Sequence, residues 1–209
     1  MTIGVVSLWH NHPELLPFFT HMMRVDGWDK LVVVDNASDE GLAPAYKSVL
    51  GNSARRTHVI RMAKNNVVDG WNTGVTELDT DIVIVLANDL LMLDARWVRI
   101  AAEGMQPGIF QGPYPFVSLG QHYLDGSFTV WMREDWEKLG GLDEGYQHPG
   151  YYSDVDICYR AMQAGMEMRH VPVPVHHLRS WTAGAILDDP ATRNATQNNQ
   201  ARFISKRGY

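Results

Sequence analysis

Residues 81–93 read DIVIVLANDLLML, a β-branched apolar run that stops at Asn88 and Asp89 and then resumes. An apolar run of this length, bounded by polar residues, has the signature of a buried strand. A carboxylate left unpaired inside such a run would cost several kcal/mol, so Asp89 must be compensated. Two compensations are open. Asp89 ends the strand in a turn and caps the next segment, or it holds a divalent cation whose remaining ligands come from substrate phosphates, a role that suits Mg²⁺ or Mn²⁺.

Working outward, the runs IGVVSL (3–8), KLVVVD (30–35) and THVIRM (57–62) have the same character. Helical spacing separates them at Pro13–Val25 and Leu42–Leu50, and a shorter helix is expected from near Gly70. Strands alternating with helices predict an α/β fold with a mostly parallel sheet covered on both faces. Beyond residue 105 the chain becomes rich in Pro and Gly. A strand is expected at 127–132, a short helix at Glu134–Leu139, a longer helix from Ser153 to about Ala164, and a strand at 166–173. The tail DDPATRNATQNNQARFISKRGY (188–209) reads as a polar helix that either folds back or stays mobile. With no repeat and no linker, residues 1–209 are expected to form one domain whose two halves, 1–104 and 105–209, handle different parts of a ligand.

A net charge of −6 argues against salt-driven nucleic-acid binding, so no nucleic-acid partner is expected. No apolar run approaches the roughly 20 residues of a membrane span, and none of the features of a signal segment is present. A cytoplasmic protein without a transmembrane segment is therefore expected. The single cysteine, Cys158, rules out an intrachain disulfide and reads as a core filler.

In open parallel sheets ligands gather beyond the carboxyl ends of the strands. The polar residues at those ends are Ser7, Asp35 with Asn36, and Asn88 with Asp89. Asp35 could accept the N–H of a pyrimidine ring, whereas Ser38 and Asp39 read as turn and capping residues. In KNNVVDGWNTGV (64–75) the Asn residues, Asn66 and Asn72 among them, surround Gly70 and Gly74 at a strand-to-helix passage. Such glycines permit close backbone approach, and a helix N-terminus there would offer amides to an anion. No Walker loop or dinucleotide fingerprint is present.

GYYSDVDICYRAMQAG (150–165) opens a helix with two acids, Asp154 and Asp156. Two residues apart, they point in different directions and cannot share a proton. The helix dipole accounts for Asp156. Asp154, nearer the loop, can face a cleft and accept a proton from a hydroxyl. His176 and His177 lie on an extended segment and face opposite ways, so at most one reaches a given metal. Trp71 and Trp181 serve in packing or as stacking surfaces.

Taken in order, IGVVSLWHN (3–11), VVVDNASDEG (32–41), NNVVDGWNTG (65–74), VIVLANDLLML (83–93), REDWEKLGGLDEGY (133–146), YYSDVDICYRAMQAGMEM (151–168) and VPVPVHHLRS (171–180) resemble the family 2 glycosyltransferases, in particular the rhamnosyltransferase-like branch. The resemblance implies a GT-A fold, with a nucleotide-sugar-binding half at 1–104 and an acceptor-binding, catalytic half at 105–209. It implies an inverting, metal-dependent transfer from a UDP-, dTDP- or GDP-linked sugar to a glycan, a lipid-linked saccharide or a protein acceptor. Asp35 and Asn36 would hold the base, with Ser7 and Trp9 lining the same pocket. Asn66, Gly70 and Asn72 would complete the donor site, and Asn88 would lie near the ribose. Asp89, with His176 or His177, would bind Mn²⁺ or Mg²⁺, and Asp154 would be the base. Residues 87–89 read AND, without the first acid of the family's Asp-x-Asp, and Ser153 replaces the family's usual Glu. Two other readings keep the fold: a nucleotidyltransferase, which needs a glycine-rich basic loop that LWHNHPELL (8–16) does not supply, and a non-catalytic nucleotide-sugar-binding module.

Overall fold

The computed structural model describes residues 1–39, 44, 56–178 and 189–208. All of the helix expected at Leu42–Leu50 except residue 44, and the residue Trp181, lie outside the described residues.

The apolar runs form the strands β1 (Ile3–Trp9), β2 (Lys30–Asp35), β3 (Thr57–Arg61) and β4 (Ile82–Ala87), mutually parallel in the order β3-β2-β1-β4. A three-residue 3-10 turn and α1 (Leu16–Met22) follow β1, α2 (Val67–Thr76) follows β3, β5 (Leu90–Met92) follows β4, and α3 is Trp97–Ala102. The second half adds β6 (Ile109–Gly112), a hairpin of β7 (Pro115–Ser118) and β8 (Gln121–Leu124), β9 (Phe128–Met132) and α4 (Arg133–Leu139). It ends with α5 (Ser153–Gln163), β10 (Glu167–His170), β11 (Val175–His177) and α6 (Pro190–Arg207).

The central sheet has seven strands in the order β10-β6-β9-β4-β1-β2-β3, with β9 antiparallel to both neighbours. It therefore crosses the boundary at residue 105 without a break. This mostly parallel sheet with helices on both faces is a GT-A type α/β fold. Because strand side chains alternate, β1 sends Val5 and Trp9 into one core with Phe19 and Trp97, and Val6 and Leu8 into the other with Trp71 and Trp131.

The helix after β3 begins at Val67, earlier than expected, because Asn66 caps it by accepting from the amides of Val68 and Asp69. Gly70 and Gly74 then sit inside this helix against the sheet. A Cβ on Gly74 would come within 2.3 Å of Val6 Cγ2 and 2.9 Å of Val34 Cγ2, and one on Gly70 within 2.5 Å of Leu8 Cδ1. Their role is close helix–sheet packing.

The tail folds back. Phe203 of α6 is buried against Tyr152 and Tyr159, and Asn199 makes a two-bond clamp with the backbone of Gln147, 2.8 Å each way. No helix among the described residues is long and apolar enough to cross a membrane.

Candidate functional site

Strands β1 and β4 are neighbours whose connections leave in opposite directions along the sheet. That divergence opens a crevice beyond their carboxyl ends. It has a volume of about 560 Å³, and its lining includes Asn36, Asn88, Asp89, Asp125, Asp154 and His177. The two aspartates singled out in the sequence, 65 positions apart, thus face one cavity.

Asp89 follows β4 and is buried, and its Oδ1 lies 3.3 Å from His177 Nε2. The antiparallel pairing of β11 with β5 brings the histidine there, with His177 opposite Leu90 and His176 opposite Leu91. Alternation exposes His176 outside the crevice lining, so of the two histidines only His177 meets Asp89. His177 Nδ1 is buried with no hydrogen-bond partner. Among the described residues no third His, Cys, Asp or Glu joins the pair to make a three-residue metal cluster. A carboxylate and an imidazole at this separation fit two positions in the shell of Mn²⁺ or Mg²⁺, ions that take further oxygens from phosphate and water.

Asp154 stands in the first turn of α5. Its Oδ1 accepts from the Val155 amide (2.9 Å) and its Oδ2 from the Gly126 amide (3.2 Å). Burial, and then the neighbouring Asp125, push its carboxyl up to about 6, while the two amides pull the other way. Such a group is ionised at neutral pH yet basic enough to take a proton. The hydroxyl of Tyr151 is pushed up by burial and by Asp154. Asp156, by contrast, is fully buried outside the crevice and paired with Arg160 and Arg207, each at 2.7 Å through its Nε.

The expected donor residues separate into two sets. Asn36 and Asn88 line the crevice. Asn36 is held there by its neighbours, donating to Asn65 Oδ1 (2.7 Å) and accepting from the Asn66 amide (3.0 Å). Ser7 and Trp9 do not line it. They occupy the odd-numbered face of β1, where Ser7 Oγ accepts from Trp9 Nε1 (3.0 Å), and Leu8 reaches the crevice instead. Asp35 is buried beside the crevice, its oxygens accepting from Arg61 (2.8 Å) and the Ser38 amide (2.9 Å). Asn66 is the helix cap, Gly70 a packing glycine, and Asn72 a brace holding both the N–H and the C=O of Leu142.

Residues not anticipated also line the crevice, among them His10, His12, Asn65, Asp125, Gly126 and His148. His10 Nδ1 lies 2.9 Å from the carbonyl of Asn36. Burial, then the proximity of His10, push the His148 imidazole down. Two signals in the sequence point to this group: the Asp-Gly pair at 125–126, a turn former ahead of β9, and the position of His10 and His12 just past the end of β1.

No family model and no curated protein matches the sequence. Among solved structures, the mannosyltransferase PcManGT from Pyrobaculum calidifontis, in complex with GDP-Man and Mn²⁺, aligns with a TM-score of 0.70 at 15% identity. The alignment covers 96% of this chain and 69% of that one. S. aureus TarS 1–349 aligns with a TM-score of 0.64 at 12% identity over 98% of this chain and 72% of the other. At these identities the likeness is one of fold.

Proposed function

We propose that the protein is an inverting glycosyltransferase, of family 2 and its rhamnosyltransferase-like branch, that moves a sugar from a nucleotide-diphosphate donor to an acceptor hydroxyl. The observation that carries this reading is the placement of Asp89, with His177, and Asp154 in one crevice at the carboxyl ends of β1 and β4. The ordered motifs support the family. The mannosyltransferase neighbour, solved with GDP-Man and Mn²⁺, supports a nucleotide-sugar donor and a divalent cation.

In this reading Asn36, Asn65 and Asn88 border the nucleoside, while Asp89 and His177 would hold Mn²⁺ or Mg²⁺. The cation, when bound, offsets the charge that grows on the diphosphate as it leaves. Asp154 accepts the proton of the acceptor hydroxyl as its oxygen bonds to the anomeric carbon. The bond from that carbon to the donor phosphate oxygen breaks on the opposite side, and its electron pair leaves with the nucleoside diphosphate. Attack from the face opposite the leaving diphosphate inverts the anomeric centre. The amides of Gly126 and Val155 fix the orientation of the Asp154 carboxylate, so no reorganisation is needed during the step. A glycosidase must also protonate a poor leaving group, whereas a nucleoside diphosphate leaves unprotonated and one base suffices.

The test is nucleoside-diphosphate binding by calorimetry for parent and Asp89→Ala, in Mn²⁺ and in chelator, together with donor consumption by the parent. Asp89→Ala is expected to weaken binding in Mn²⁺ and to match the parent in chelator. Equal weakening in both conditions would contradict the metal role, and a parent that binds nucleotide without consuming any donor would favour the binding-module reading.

A further inference from the structure

Below its polar lip the crevice changes character. On α5, Asp154, Ile157 and Cys158 stand at i, i+3 and i+4, so the two apolar side chains lie one turn beneath the carboxylate on the same face, and all three line the cavity. Across the cavity, Val67 and Trp71 present the same i, i+4 arrangement from α2. The back wall is Val85 with its register partner Thr129, and Trp136 and Leu142 complete the lining.

Two polar groups of these walls are engaged internally. Thr129 Oγ1 accepts from Trp131 Nε1 (2.9 Å), and the Cys158 thiol, pushed up to about 12 by burial, donates to the carbonyl of Leu124 (3.8 Å). Leu142 is fixed by the two hydrogen bonds from Asn72, and Trp136 packs edge-on against Trp131 at 5.7 Å. The lower chamber is therefore preformed and mostly apolar, a combination that favours apolar ligands over water.

We infer that this chamber seats the acceptor, and that the acceptor is an alcohol whose carbon skeleton next to the reacting hydroxyl is aryl or short-chain alkyl. The inference rests on the transferase reading, which places the acceptor hydroxyl at Asp154. Atoms bonded to that hydroxyl must lie within a few bonds of the carboxylate, and the surface one turn below Asp154 is apolar. A sugar ring placed there would bury several hydroxyls with few partners, which is unfavourable. An aryl or alkyl group leaves nothing unpaired.

The experiment follows tryptophan emission, which Trp71 and Trp136 make sensitive to occupancy, during titration of the full chain with 2-phenylethanol or with mannose as a polar control of similar size. Each titration is repeated with UDP, GDP or dTDP plus Mn²⁺. A saturable change is expected with 2-phenylethanol alone, unaltered by nucleotide. Leu142→Phe and, from the other wall, Cys158→Met should each weaken it by about tenfold or more with circular dichroism unchanged. An equal response to mannose, no response to 2-phenylethanol, or displacement of the alcohol by nucleotide would overturn the proposal. Normal alcohol binding in a protein that binds none of the three nucleotides would instead reject the transferase reading, and with it the acceptor assignment.

Discussion

Asp154 is subject to opposing influences whose balance decides its chemistry. Protein packed around it and the charge of Asp125 disfavour the ionised form, while two backbone amides favour it. The result, a carboxyl raised from 3.8 to about 6, has consequences for both rate and stability. Transfer should climb as pH rises through about 6 and then level off, since only the ionised form accepts a proton. For stability the sign is opposite. With the folded-state value above the unfolded one, the group costs nothing where both states are protonated, below about pH 4, destabilises progressively as pH rises to about 6, and costs a constant amount above that. The rise corresponds to about 3 kcal/mol. Asp154→Asn removes that penalty but loses one acceptor oxygen, so it should be about 1–2 kcal/mol more stable than the parent near pH 8, with the gap closing towards pH 4. Melting curves at the two pH values check this, and a variant less stable than the parent near pH 8 would contradict it.

At the scale of elements, α6 positions the Asp154 side of the crevice without entering it. Asn199, buried, clamps Gln147, one residue before His148 in the crevice lining, and Phe203 packs on Tyr152, which leads into α5. Asp156, fully buried and held by Arg160 and Arg207, ties α5 to the end of α6. Asn199→Ala should therefore cost about 1–3 kcal/mol and speed hydrogen exchange at 145–152, leaving β1–β4 protected. Uniform loss of protection across the sheet would show that the clamp has no local role. The position of α2 has a different cause: the glycines at 70 and 74 let it lie close to the sheet, which is why residues that resemble an anion loop in the sequence are packing positions in the fold.

Across the whole molecule, legibility in the sequence tracks the length of the apolar run. The strands β1, β2, β4 and β9 are nearly continuous apolar runs because both faces of the sheet are covered there, and their alternation with helical spacing marks the first half as α/β. The hairpin β7–β8 and the short strand β6 leave no such trace. The hairpin turns at Leu119-Gly120 rather than at a characteristic Asn-Gly or Asp-Gly pair, and its first strand alternates between exposed and partly buried. In the site, Asp89 and Asp154 are legible because acids beside apolar runs demand an explanation. Ser7 and Trp9 fall outside the crevice lining because the end of a strand does not reveal which face points to it. Asp35 resembles a donor-pocket residue because its partner Arg61 lies 26 positions away and meets it only through the pairing of β2 with β3. The choice between His176 and His177 likewise depends on the remote pairing of β11 with β5.

Asp154 is assigned to take the acceptor proton across the crevice from a donor anchored at Asp89. The most direct test of that assignment is single-turnover transfer by Asp154→Asn, with nucleoside-diphosphate binding in Mn²⁺ measured on the same preparation. The variant is expected to bind nucleotide like the parent and to transfer sugar about 10²- to 10⁴-fold more slowly. Transfer at the parent's rate, with binding intact, would contradict it.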